Sequence, residues 1–278
     1  MYSMKLLKEQ LLPILLTVMT CLLLIGILLG VVRGLNLLPT REKIIPVFRL
    51  ADILIGITIY IKTSVDFALF IGMLMSKYTG YKNRIAIEIG TAIGNGVGTF
   101  LVLSIWTFFK EVPILLVLMI ILAALILFVM AEDSLTELLS EYPTFKNFLT
   151  VTVFNTLHKI NSVFAPITRS ILPHSQKQNT SKKTFWALTF FAFSIPFILG
   201  LDDFAGYIPL FTIVNVVGFS IGVFIGHMML NVLLFASPTL TVKLIRQPIV
   251  ILFGSFAFIG IALWGIYEVY GILFHLLF

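Results

Sequence analysis

Cysteine and charge are both scarce in this chain. Its 278 residues contain one cysteine, Cys21, which excludes an internal disulfide and a cage of thiolate ligands around a metal. Only 12% of the residues are charged and 59% are hydrophobic, whereas a soluble domain has about a quarter charged residues. The composition therefore indicates a polytopic membrane protein.

Acidic residues are fewer than basic ones, 13 against 19, which leaves a net charge of +6. In a soluble chain this excess of basic residues would suggest nucleic-acid binding. Here most basic residues lie in connections between apolar runs, so we exclude nucleic acid as a partner. The sequence also has no nucleophile constellation and no phosphate-binding loop. We therefore expect neither an enzyme nor a bound cofactor.

Seven apolar runs are long enough to cross a bilayer, and the predicted fold class is an all-α membrane protein. The predicted spans are Leu11–Val32, Leu50–Met75, Ile85–Phe108, Pro113–Met130, Phe185–Ile208, Thr212–Ala236 and Pro248–Phe278. The first run exceeds the apolar region of a signal peptide and no small-x-small cleavage site follows it, so we expect it to be retained.

The basic residues predict the orientation of these spans. Alternate connections on one side carry 13 Lys and Arg residues, and those on the other side carry 5. Because basic residues are retained in the cytoplasm, the N-terminus is predicted to be cytoplasmic and the C-terminus outside. The expected location is the cell membrane.

The segment 132–184 is the only long stretch without a predicted span. Its acidic start ends at Pro143, and Phe145–Leu172 then mixes apolar residues at helical spacing with a few basic ones. This pattern predicts an amphipathic helix on the cytoplasmic surface, followed by a basic linker. The segment separates 1–49, with the first span, and a first unit at 50–131 from a second unit at 185–278.

An acidic motif occurs once in each unit. The stretch TSVDFALFIGML places Asp66 in an apolar run, and GLDDFAGYIPLF repeats the Asp-Phe-Ala sequence at Asp203. A lone carboxylate in hydrocarbon costs roughly 3 kcal/mol on insertion scales, so two acids in corresponding places favour a functional role. The structural alternative is that Asp66 is neutralised by Lys62, four residues earlier.

Each acidic span is followed by a span with glycine at every fourth residue. These strips allow another helix to approach closely. They consist of Gly90, Gly94 and Gly98 in the first unit and Gly218, Gly222 and Gly226 in the second. Since each unit has three spans, the second must be inserted upside down, which predicts two inverted repeats with a site near the bilayer midplane.

The candidate ligands of that site are polar residues within the spans. They are Asp66, Asp203, Asp202, Glu88, Asn95 and His227. Carboxylate, amide and imidazole groups suit a divalent ion such as manganese. Alternatives remain open, because Asp202 could be a turn residue, Glu88 could pair with Arg84, and His227 could be a packing residue.

At the two acidic motifs the chain resembles the cadmium-resistance transporter family of the lysine-exporter superfamily. GLDDFAGYIPLF is similar to that family's second-half motif, and SVDFALFIGML looks like its first-half acidic helix, with Val65 where the family often has a second acid. The resemblance covers about 50–130 and 185–278. It implies two inverted three-helix repeats and export of a divalent cation or an amino acid.

The function expected from the sequence is export of a divalent metal cation, cadmium- or manganese-like. The alternatives are an amino-acid or small zwitterion exporter and a non-transporting membrane scaffold. The partners expected are the lipid bilayer and the ion or solute, and a homo-oligomer is compatible with the sequence.

Overall fold

The computed structural model describes residues 2–40, 42–78, 80–171, 184–199 and 207–277. Within these ranges the chain consists of helices and short connections, without a strand. The helices are α1 (Tyr2–Leu35), α2 (Leu50–Thr63), α3 (Val65–Lys77), α4 (Tyr81–Phe109), α5 (Pro113–Glu141), α6 (Phe148–Ile171), α7 (Phe185–Leu199), α8 (Val216–Ala236), α9 (Pro238–Ile245) and α10 (Pro248–Leu277). The all-α fold class is confirmed for the described residues.

Helix starts follow local chemistry. Pro113 occupies the first turn of α5, where its missing N–H costs nothing. Asn215 caps α8, since its side-chain oxygen accepts hydrogen bonds from the backbone N–H groups of Val217 and Gly218. Both helices therefore begin close to the predicted start of their span.

Five described helices are long and apolar enough to cross a membrane. They are α1 from Leu11, α4, α5, α8 and α10. A sixth span exists if α2 and α3 are taken together, but the two are bent by 66° at their junction. The helix α7 is described over only 15 residues, to Leu199. The predicted count of seven spans is thus not reached among the described residues.

The break between α2 and α3 corrects the prediction of one continuous helix from Leu50 to Met75. Thr63 Oγ1 donates to the carbonyl oxygens of Ile59 and Tyr60, and Ser64 lies between the helices with ψ near 23°. Hydroxyl side chains that bond to nearby carbonyls compete with the helical ladder and favour bends. Lys62 and Asp66 therefore belong to different helices, which removes the helix-face argument for their pairing.

The end of α5 also differs from prediction. The helix continues from Met130 to Glu141, so the acidic start of the central segment is helical. This extension gives α6 a partner: Leu157 is buried in a cluster with Leu135 and Leu138. Asn161 Nδ2 donates to the carbonyl oxygen of Phe128, and His158 Nδ1 lies 2.7 Å from Glu132 Oε1.

Part of the apolar face of α6, including Leu157, is therefore packed on α5. Its predicted position on the cytoplasmic membrane surface stays a prediction. The exposed positions carry polar residues, among them Thr152, Thr156 and Lys159, and also apolar ones, among them Phe148 and Val163. An amphipathic pattern predicts that one face is covered, but not by what.

The described helices form two compact units. One comprises Met1–Thr107, Ser175–Gly200 and Val214–Lys243, and the other comprises Phe108–His174, Leu201–Ile213 and Leu244–Phe278. The first unit contains α1 to α4, α7 and α8. The second is built on α5 and α10, whose core includes Leu127, Phe128, Phe258 and Ala262, with α6 packed against α5. Each unit draws on both predicted repeats, so the grouping by contact crosses the predicted domain boundaries.

Candidate functional site

The glycine strip of α8 lies against α2. A Cβ atom at Gly222 would overlap the carbonyl oxygen of Ile53 and lie 2.9 Å from Gly56 Cα, and one at Gly218 would lie 3.0 Å from Asp52 Cβ. One turn further on, a Cβ at Gly226 would lie 3.2 Å from Tyr60 Cβ. Because no side chain separates the helices, polar groups on both are brought within hydrogen-bonding distance.

The glycine strip of α4 lies against α7. A Cβ at Gly90 would overlap the carbonyl oxygen of Thr189, and one at Gly94 would overlap that of Phe193. Gly98, one turn further on, is buried. On another side of α4, a Cβ at Gly96 would lie 2.5 Å from Leu24 of α1. The strips thus place α4 between α1 and α7.

Glu88 is the buried acid of this unit. It has no exposed surface, and neutral donors bind both of its carboxylate oxygens. Thr20 Oγ1 of α1 donates to Oε1 at 3.0 Å, and Asn231 Nδ2 of α8 donates to Oε2 at 2.8 Å. The carboxylate therefore joins α1, α4 and α8.

The pairing of Glu88 with Arg84 is not among the contacts of the described residues. Arg84 lies one turn earlier, and its Nη1 donates to the carbonyl oxygen of Phe235 at 3.2 Å. Sequence spacing alone favoured this pair, but the carboxylate has its partners on other helices. A fixed ion pair thus does not explain the buried acid.

Asn231 also connects Glu88 to His227. Its Nδ2 lies 3.1 Å from His227 Nε2 and 3.3 Å from Thr91 Oγ1. In the tautomer of the neutral imidazole with its proton on Nδ1, Nε2 accepts a hydrogen bond from this amide nitrogen, which can only donate. In the same tautomer Tyr60 Oη, which lies 2.7 Å from Nδ1, accepts that proton's hydrogen bond. His227 thus lies between Asn231 and Tyr60, with one ring nitrogen toward each.

The backbone at Asp66, the predicted acid of α3, lies near this network. Asp66 is in the first turn of α3, and the ring of its neighbour Phe67 lies 5.8 Å from that of His227. The side chain of Asp66 is outside the described part of the structure, and so are Asp202 and Asp203. The structure therefore brings together Glu88, His227 and the backbone beside Asp66.

Asn95 lies on α4, two turns after Glu88. It is buried, and its Nδ2 has no hydrogen-bond partner among the described residues. Among the described residues, Asn95 is not part of the hydrogen-bond network around Glu88. Its role as a ligand stays a prediction.

Thr20, Tyr60 and Asn231 were not among the predicted site residues. Asn231 follows His227 by four residues and shares its helix face, a signal that was available in the sequence. The other two had no such signal, because neutral polar residues within apolar helices are common. Only the helix packing places them beside the acid.

The cluster supplies one carboxylate and one imidazole. Among the residues that the structure describes, no group of three or more His, Cys, Asp and Glu side chains could hold a metal ion. A cation bound here by protein groups would need neutral oxygen atoms as well, and Asn231, Thr91 and Thr20 carry them. Carboxylate, amide and imidazole groups are ligands of borderline divalent ions.

The chain was compared with known proteins at three levels. No family model, no curated protein and no solved structure matches it. Function must therefore be argued from the site and from the helix packing.

Proposed function

We propose that this protein is an integral membrane transporter that exports a divalent metal cation through a site between two inverted repeats. The observation that carries the proposal is the position of Glu88, an acid with no exposed surface that is bound by Asn231 and lies beside His227. An ionisable residue within membrane helices is costly and usually marks an ion or substrate route.

The packing of the glycine strips supports an internal repeat. Aligning Asp203 with Asp66 relates the first helices of the two halves by 137 positions, and aligning Gly218 with Gly90 relates the glycine helices by 128. The first offset relates Asp52 to Thr189, and the second relates Gly218 to Gly90. The contact of Asp52 with Gly218 therefore corresponds to the contact of Thr189 with Gly90. By the same offsets, the contact of Gly56 with Gly222 corresponds to that of Phe193 with Gly94. The two helix pairs thus use the same register.

The direction of the helices supports inversion. Contacts advance together along α2 and α8, from Asp52–Gly218 to Tyr60–Gly226, so these helices are parallel. Within one half, successive spans are antiparallel because a short connection joins them. Two halves with the same orientation would make α2 and α8 antiparallel, whereas inverted halves make them parallel.

The break at Ser64 supports a transport site near Asp66. Helices interrupted within the membrane expose backbone groups that bind substrates and ions in transporters. Here the interruption comes two residues before the acid of the repeated motif. This proposal makes Asp66 and Asp203 paired ligands, in agreement with the resemblance to cadmium-resistance transporters.

Export of a divalent cation needs an energy source. Against a negative cell interior it costs about 2.3 kcal/mol per elementary charge for each 100 mV. A carboxylate that binds either the ion or a proton couples the two, since protonation weakens the ion site. We therefore propose exchange of the cation against protons.

The transport assay follows from this proposal. We expect the purified protein in proteoliposomes to move Mn²⁺ or Cd²⁺, with flux stimulated by an opposing proton gradient and lost in Glu88→Gln. Ser220→Ala, on the same helix as His227 but outside the hydrogen-bond network, is the matched control. Flux of an amino acid without metal would instead identify a zwitterion exporter, and absence of flux for all solutes would identify a scaffold.

The proposed orientation is tested by labelling. In a Cys21→Ala background, a cysteine at Ser162 of α6 should react with an impermeant thiol reagent only from the cytoplasm. A cysteine at Leu37, which is 87% exposed after α1, should react only from outside. The reverse accessibility would contradict the orientation derived from the basic residues.

A further inference from the structure

Three possible hydrogen-bond acceptors surround one atom, Asn231 Nδ2. Asn231 Nδ2 is surrounded by Glu88 Oε2 at 2.8 Å, His227 Nε2 at 3.1 Å and Thr91 Oγ1 at 3.3 Å. These acceptors come from two helices, and an NH₂ group has only two hydrogens for the three of them. A cation is the other species that such a set of atoms would bind.

The oxygen of the same amide is the second unusual atom of this cluster. Asn231 Oδ1 is buried and has no hydrogen-bond partner among the described residues, on a side chain without exposed surface. Buried polar atoms without a partner are rare and call for an explanation. A half turn of the amide exchanges its two ends, so that this oxygen instead of Nδ2 faces the carboxylate, the imidazole and the hydroxyl.

The imidazole is already prepared for that role. In the tautomer with its proton on Nδ1, His227 donates to Tyr60 Oη at 2.7 Å, and the Nε2 lone pair is directed at the amide. Metal-bound histidines commonly donate their second N–H to an oxygen, which holds the ring and its tautomer. No change of tautomer is needed when the amide is replaced by a cation.

We propose that Asn231 is the internal substitute for the transported cation. In the empty site its NH₂ group occupies the cation position. When the ion enters, the Asn231 side chain withdraws from that position and turns, so that Oδ1 becomes a ligand together with Glu88 Oε2, His227 Nε2 and Thr91 Oγ1. This inference rests on the proposed function for the identity of the ion and names the ligands that lie among the described residues. The expected ion is divalent and borderline, since the ligands are three oxygens and one nitrogen.

The test is direct binding to the purified full-length chain in detergent, measured by electron paramagnetic resonance of Mn²⁺ and by competition with Cd²⁺. We expect Asn231→Leu to weaken Mn²⁺ binding by about tenfold or more, as for the loss of a ligand or its immediate support. Asn231→Asp should tighten it by a similar factor, because the substituting NH₂ is replaced by a carboxylate oxygen. Ser220→Ala should bind as the wild type does.

The outcomes separate this inference from the proposed function. Binding that depends on Asn231 without flux in proteoliposomes would uphold the site and reject export. Metal flux with Mn²⁺ affinity unchanged in Asn231→Leu and Asn231→Asp would uphold export and overturn the site. If Asn231→Asp lowers the midpoint of thermal unfolding without tightening Mn²⁺ binding, the amide is a structural link and the inference is wrong. Absence of Mn²⁺ and Cd²⁺ binding to the wild type also overturns it.

Discussion

Replacing either Asp66 or Asp203 by asparagine abolishes metal export while the protein still folds, if the two acids are paired ligands of one site. The amide keeps the size of the side chain but removes the charge that a divalent ion requires. It also removes the cost of a carboxylate in hydrocarbon, roughly 3 kcal/mol on insertion scales. We therefore expect export to fall to background and the midpoint of thermal unfolding to stay unchanged or rise.

The control concerns Lys62, which lies in α2 on the other side of the break from Asp66. A structural acid paired with this lysine would behave differently, because its removal would leave a partly buried cation without its partner and destabilise the protein. The double variant Lys62→Met with Asp66→Asn separates the two cases. Normal export by this variant would show that Asp66 only neutralises a lysine and that the ion binds elsewhere.

Alanine at Gly222 should strongly destabilise the native packing of α2 on α8. Its Cβ would overlap the carbonyl oxygen of Ile53 and lie 2.9 Å from Gly56 Cα, both backbone atoms of α2. Backbone cannot move aside as a flexible side chain can, so α2 and α8 must separate, at a cost of about 3 kcal/mol or more. Separation would also part Tyr60 from His227.

Gly260→Ala is the matched control, since nothing lies within 4 Å of the Cβ position at Gly260 on α10. Thermal unfolding in detergent, followed by circular dichroism, should show a large loss for Gly222→Ala and little change for the control. Gly94→Ala, on the corresponding position of the other helix pair, should resemble Gly222→Ala. An unfolding midpoint for Gly222→Ala equal to that of the control would refute the close packing of α2 on α8.

Composition and periodicity were enough to predict the class of the fold and the positions of most helices. Apolar runs of about 20 residues predict spans because each backbone polar group in hydrocarbon must be bonded within its own helix. The break at Ser64 was not predicted. It depends on how Thr63 bonds to two carbonyl oxygens, and no proline or glycine marks the place.

The glycine strips were predictable from the sequence, but the helices that pack on them were not. A glycine at every fourth residue predicts that a helix face is smooth and close to another helix, and this local property can be read from α4 or α8 alone. The identity of the neighbour is a non-local property. The strip of α4 could have received α2 from its own half, but it receives α7, and α2 lies on α8.

The sequence by itself determined that this is a helical chain with membrane character, and it singled out Glu88 and His227 as chemically unusual residues. Only the tertiary structure decided that these two are linked through Asn231, with Thr20 and Tyr60 at the ends of the network. A charge in an apolar run is visible because its desolvation is costly wherever it lies. The neutral partners that offset this cost for Glu88 come from two other helices, and their distances in sequence carry no information about their contact.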